Sequence, residues 1–212
     1  MKILFFGDSI TDMGREKSEE ISVRSYGDGY VFFVAGDLKR ENPNVQIVNR
    51  GISGNRIVDL YARIKKDVWN HKPDLLSILV GVNDVWHELG EAKNGVELER
   101  FKRIYKMLIE DTKKVLPDLK IVLMEPFILK GSATEERIEE FLQVKEYAKA
   151  VKELAEQTGS YFIPLQQKLD EAEKMNGGRA YLYDGVHPDI AGARLIADEW
   201  INFYNENIKN NS

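Results

Sequence analysis

Five short apolar runs constrain this chain most. They lie at 2–6, 45–48, 75–80, 121–124 and 161–163, are rich in Ile, Leu, Val, Met and aromatic residues, and mostly lack polar alternation. A strand that is apolar on both faces is buried on both faces, as in a parallel sheet covered on each side by helices. The stretches between and after the runs supply the cover, with helical periodicity near 28–41, 57–69, 97–115, 135–157 and 189–207. In 97–115, Leu98, Phe101, Ile104, Tyr105, Leu108 and Ile109 recur at three- and four-residue steps and form one stripe for packing against a sheet.

This strand count and alternation predict an α/β fold: a flavodoxin-like, doubly wound three-layer α/β/α sandwich around a five-stranded parallel sheet. With 212 residues and no repeat, linker or low-complexity stretch, the chain reads as a single domain, 1–212. The formal charge of −5 is spread along the helices without a basic stripe, which argues against a nucleic-acid partner. There are no cysteines, and His71, His87 and His187 show no metal-ligand spacing, so neither a metal nor another cofactor is expected. The apolar start, Ile3-Leu4-Phe5-Phe6, is too short for a signal peptide or membrane span. The expectation is a cytoplasmic protein with no membrane partner.

In such a sheet, ligands sit outside the carboxyl ends of the strands, so the segments just after each run matter most. Gly7-Asp8-Ser9-Ile10-Thr11-Asp12 follows the first run, and by itself Asp-Ser would be an ordinary helix cap. Asn49-Arg50-Gly51-Ile52-Ser53-Gly54-Asn55 and Gly81-Val82-Asn83-Asp84 follow the second and third, and each would singly pass as a turn. Near the end, Asp184-Gly185-Val186-His187-Pro188 sets a carboxylate three residues from an imidazole, before a helix that Pro188 opens. Singly these are bland; together on one sheet edge they match the needs of acyl transfer. A hydroxyl nucleophile requires a base, a carboxylate to orient that base, and donors aimed at the developing oxyanion. Ser9 is the candidate nucleophile, His187 the base and later the acid, and Asp184 the orienting carboxylate. The N–H groups of Ser9 and Gly54 and the Asn83 side chain are the candidate oxyanion donors.

These four segments, in this order, resemble the blocks of the GDSL or SGNH hydrolase superfamily over essentially the whole chain, with no departure at Ser9, Gly54, Asn83, Asp184 or His187. The resemblance implies metal-free ester hydrolysis through an acyl-enzyme. Tyr26-Gly27-Asp28-Gly29-Tyr30-Val31, Asp67-Val68-Trp69, Asp84-Val85-Trp86 and Pro126-Phe127 are similar to the acetylxylan-esterase branch, which deacetylates plant polysaccharide fragments. That finer likeness implies a small-molecule or oligosaccharide ester as partner, and homo-oligomers, since relatives in that branch often assemble. Asp12, Tyr26, Trp86 and Phe127 are the expected substrate contacts, with Trp86 and Phe127 lining the pocket. Trp69, within a helix, is expected to be core.

Gly51-Ile52-Ser53-Gly54 looks like a nucleophile elbow, but Asn55 stands where the motif needs glycine. His71 precedes the third run, at the wrong end of the sheet. Two other functions remain: a lysophospholipase or thioesterase using the same blocks, and a non-catalytic flavodoxin-like binding module. No phosphate-loop or dinucleotide fingerprint supports the latter.

Overall fold

The computed structural model describes residues 1–18, 20–176 and 181–209. Five strands, β1 (Lys2–Gly7), β2 (Gln46–Gly51), β3 (Leu75–Leu79), β4 (Lys120–Met124) and β5 (Tyr161–Ile163), form one sheet in the order β2-β1-β3-β4-β5. Every neighbouring pair is parallel. The order reverses direction between β1 and β3, the switch point where a doubly wound sheet opens a crevice.

The helices are α1 (Ser9–Asp12), α2 (Tyr30–Glu41), α3 (Ile57–Asp67), α4 (Val82–Leu89), α5 (Leu98–Val115), α6 (Ile138–Phe141), α7 (Val144–Thr158), α8 (Gln166–Asn176) and α9 (Ile190–Asn207). Neighbours α3, α5 and α7 pack in series, while α2 packs against α9, giving the three-layer sandwich. Among the described residues, no helix is long and apolar enough to cross a membrane.

The central strands are dry on both faces: Ile3, Leu4, Phe5, Phe6 and all of β3 are buried, whereas β2 and β5 at the edges are partly exposed. Ser77 is the polar exception in β3. Its hydroxyl accepts the indole N–H of Trp200 at 3.1 Å and donates to Met124 Sδ at 3.3 Å, which satisfies a group that would otherwise be costly to bury. Trp200 also packs on Phe5 with ring centroids 5.1 Å apart, fastening α9 to β1.

Three departures from the sequence expectation have physical causes. The expected helix at 135–157 is broken: a single 3₁₀ turn at Glu135–Arg137 leads into the four-residue α6, and α7 starts only at Val144. The polar α8 shows only Leu169 and Ala172 to the core, too few apolar positions for a visible period. Finally, the asparagine segment runs on as the two-turn α4.

Strand register brings the candidate site together. Gly7 lies level with Gly51 on one side and Leu79 on the other, so the three segments that follow leave the sheet at one height. The approach at Gly51 is close, since a Cβ there would lie 2.2 Å from Asp12 N and 2.6 Å from Thr11 C. Both are backbone atoms that cannot swing aside. Gly51→Ala is therefore expected to destabilise the protein by about 1–3 kcal/mol, the usual penalty for overpacking, read as a lower urea midpoint at unchanged slope. An unchanged midpoint would mean that α1 moves freely away from β2.

Candidate active site

Ser9 is the first residue of α1, held at the sheet edge by Asp8, whose Oδ1 accepts the Ile10 N–H at 3.0 Å. Its hydroxyl Oγ lies 2.8 Å from His187 Nε2, across 178 residues of sequence. On the other side of the ring, His187 Nδ1 is 2.6 Å from Asp184 Oδ2. The second carboxylate oxygen, Oδ1, accepts the N–H groups of Val186 at 2.9 Å and His187 at 2.7 Å. A carboxylate only accepts, so Nδ1 carries the proton and Nε2 presents its lone pair to Ser9.

The electrostatics fit that arrangement. The hydrogen bond that His187 donates to Asp184 raises the His187 pKa above its ordinary value against the opposing effect of burial. Burial alone would push the Asp184 carboxyl up, but the bonds from the His187 ring and the two backbone N–H groups outweigh it and hold it below the usual range. Asp8 behaves oppositely: fully buried, with Oδ2 unpartnered, its pKa is pushed by desolvation up to about 7.

The other candidate donors sit on the neighbouring strand ends. Gly54 has φ +79°, a left-handed conformation natural to glycine, and so turns its backbone at the loop after β2. Asn83 lies in the first turn of α4, and its Nδ2 donates to the Asn55 carbonyl at 3.1 Å. Beside it, the Asp84 carboxylate accepts the Ile57 N–H at 3.0 and 3.3 Å. These two bonds stitch the asparagine segment to the glycine segment.

Two of the expected substrate contacts are buried. Asp12 is 3% exposed, and its Oδ2 accepts both the N–H of Ser53 at 2.9 Å and its hydroxyl at 3.0 Å, so it ties α1 to the glycine loop. Phe127 is 0% exposed, with no surface to offer. Tyr26 is half-buried against the core, and its carbonyl accepts from Asn49 Nδ2 at 2.9 Å. Trp86, also half-buried, lies beside the imidazole with ring centroids 6.0 Å apart and is braced edge-on by Phe141 at 5.6 Å. Trp69 packs partly against the core, with its N–H donated to Thr112.

Sequence reasoning passed over Tyr183. Its ring is 53% exposed and stacks nearly parallel on His187 at 5.9 Å, so the imidazole is bracketed by two aromatics. Its position next to Asp184 was the available signal. Of the rival groups, Ser53 is engaged with Asp12, and His71 sits where Lys2 Nζ reaches its carbonyl, at the opposite end of the sheet from Ser9. His87 is near, since a Cβ built on Gly54 would lie 3.9 Å from its Cε1, but its pKa is lowered by burial. Among the described residues, no three His, Cys, Asp or Glu side chains cluster to hold a metal ion.

Residues 5–195 match the profile of the GDSL-like lipase/acylhydrolase family. The acetylxylan esterase of Geobacillus stearothermophilus is 37% identical over 202 residues, which is 92% of this chain and 90% of that protein. Its crystal structure superposes with a TM-score of 0.84 at 36% identity, covering 95% of this chain and 92% of that one. A GDSL-like lipase from Parabacteroides merdae is similar at TM-score 0.89 and 39% identity, covering 95% and 94%.

Proposed function

This chain belongs to the GDSL-like lipase/acylhydrolase family and is a serine carboxylic-ester hydrolase, and from that premise we propose that it removes short acyl groups, acetyl first, from carbohydrate esters such as acetylated xylo-oligosaccharides, with Ser9 as the nucleophile. The observation that carries the reading is the continuous hydrogen-bonded line from Ser9 Oγ through the His187 ring to Asp184 at 2.8 and 2.6 Å.

The chemistry follows from that line. His187 Nε2 takes the Ser9 proton as Oγ attacks the ester carbonyl carbon, and the charge that builds on the carbonyl oxygen meets the Ser9 and Gly54 N–H groups and the Asn83 amide. The tetrahedral species collapses by breaking the bond to the sugar oxygen, which leaves with the proton from His187. Water then attacks the acyl-serine, giving its proton to the same nitrogen, and the acid departs as Ser9 regains its hydrogen. Asp184 stays ionised throughout and stabilises the imidazolium. The proton that leaves on the sugar hydroxyl is replaced on Ser9 by one from water, so Ser9 and His187 end the cycle in their starting states.

The substrate class rests on the walls and on the likeness to an acetylxylan esterase. Trp86 and Tyr183 flank His187, and an aromatic face suits the apolar face of a sugar ring. Turnover of 4-nitrophenyl esters is expected to be greatest for acetate and to fall by about 100-fold or more by octanoate, since each misfitting methylene is worth about 1 kcal/mol or more. Acetate released from acetylated xylo-oligosaccharides would be the matching result on the natural class. A preference for octanoate would replace this reading with a lysophospholipase or thioesterase, and no turnover of any ester would leave only a binding module.

A further inference from the structure

Outside the reacting groups, one side chain is hydrogen-bonded to residues that flank both Ser9 and Gly54. Arg63 lies on α3, its side chain 14% exposed, with its guanidinium over the Phe6 ring at 4.3 Å. Its Nη2 donates to the Gly7 carbonyl at 3.0 Å, two residues before Ser9. Its Nε donates to Asn55 Oδ1 at 2.7 Å, one residue after Gly54. Its Nη1 donates to the Arg50 carbonyl at 2.9 Å and to Asp67 Oδ2 at 2.8 Å, the latter one turn along its own helix.

We propose that Arg63 is a positioning residue that locks the three oxyanion donors into one geometry. Each donor stands a short step from the guanidinium. The Gly7 carbonyl also accepts the Ile52 N–H at 3.0 Å, so two donors from the glycine side fix the peptide plane that leads into the Ser9 amide. Asn55 is the shared link: its side chain is held by Arg63, its N–H by Ile52 O at 3.2 Å, and its carbonyl receives Asn83 Nδ2. One rigid fork thus sets Ser9 and Gly54 through adjacent backbone and Asn83 through Asn55, by one hydrogen bond to its side chain and a second at its carbonyl. Arginine suits this because its planar donors have fixed relative directions, whereas a lysine ammonium can point at only one or two of these acceptors at once.

Misplacing a donor by about 1 Å, or losing one, costs roughly 10²-fold in rate, so the clamp should act on turnover and not on substrate affinity. The inference rests on the assignment of Ser9, Gly54 and Asn83 above. Its test measures acetate-ester kinetics and the inhibition constant of methylboronic acid, whose adduct on a serine hydroxyl mimics the tetrahedral species. Folded Arg63→Lys is expected to lose about 10²-fold in kcat with KM within about 3-fold, and its boronate inhibition constant should rise in parallel. Asp67→Asn, which removes the ion-pair partner but none of the links to the donors, should stay within about 3-fold of wild type. If Arg63→Lys does not fold, Asn55→Ala, which deletes only the Nε acceptor, should show the same joint loss of kcat and boronate affinity at about 10-fold.

A folded Arg63→Lys with near wild-type kcat, a kcat loss with unchanged boronate affinity, or an equal loss in Asp67→Asn would overturn the proposal and reduce Arg63 to a stabilising ion pair. Failure of the underlying assignment looks different: wild-type protein would then turn over no ester and bind no boronate.

Discussion

Ser9→Ala is expected to lower kcat for ester hydrolysis by about 10⁴-fold or more, with the protein still folded. The hydroxyl removed is the one hydrogen-bonded to His187 Nε2, at 2.8 Å. The neighbouring Ser53 cannot substitute, because its hydroxyl is bound to Asp12 at 3.0 Å. The structural cost is small. Ser9 is half-buried, and α1 is capped by Asp8, so stability should change by no more than about 1 kcal/mol. Stopped-flow or endpoint hydrolysis of 4-nitrophenyl acetate measures the rate, and a thermal melt the fold. A folded Ser9→Ala protein with wild-type turnover would remove Ser9 from the mechanism altogether.

Asp184→Asn should cost nearly as much, about 10³- to 10⁴-fold in kcat, because an amide can donate to Nδ1 and so select the tautomer whose Nε2–H points at the serine. Its pH profile offers an independent check. The base works only when neutral, and the hydrogen bond it donates to Asp184 raises the His187 pKa, so wild-type kcat/KM is lost as pH falls through that raised value. Removing the carboxylate charge lowers the His187 pKa, so the acid limb should move to lower pH even as the plateau falls. An acid limb that does not move would assign it to another group. Asp8 is the foremost such candidate, as a buried neighbour that titrates at about 7 and acts on His187 through its charge.

Aspects of this site that depend on short spacing were visible in the chain itself. Asp184 and His187 sit three residues apart in one loop, and the carboxylate also binds the backbone of that loop, so their pairing needs little beyond local turn chemistry. The glycine and asparagine segments were legible as strand ends because apolar runs stop abruptly before them. Side-chain direction was not legible in the same way: Asp12 turns to Ser53 and Phe127 into the core, and each direction is set by groups distant in sequence. Arg63 gave no signal, because an arginine within an amphipathic helix reads as a solvated face until its two partner segments are in place.

By itself the sequence determined the alternation of buried strands and amphipathic helices, and the kinds of group available at each strand end, because burial on two faces and helical periodicity are properties of neighbouring residues. Strand order, register and the inward turn of individual side chains were decided only by the closed tertiary structure. The 178 residues between Ser9 and His187 carry no local constraint on their distance. It becomes 2.8 Å only when β1 pairs between β2 and β3, level at Gly7, Gly51 and Leu79, and α9 is packed through Trp200 onto β1.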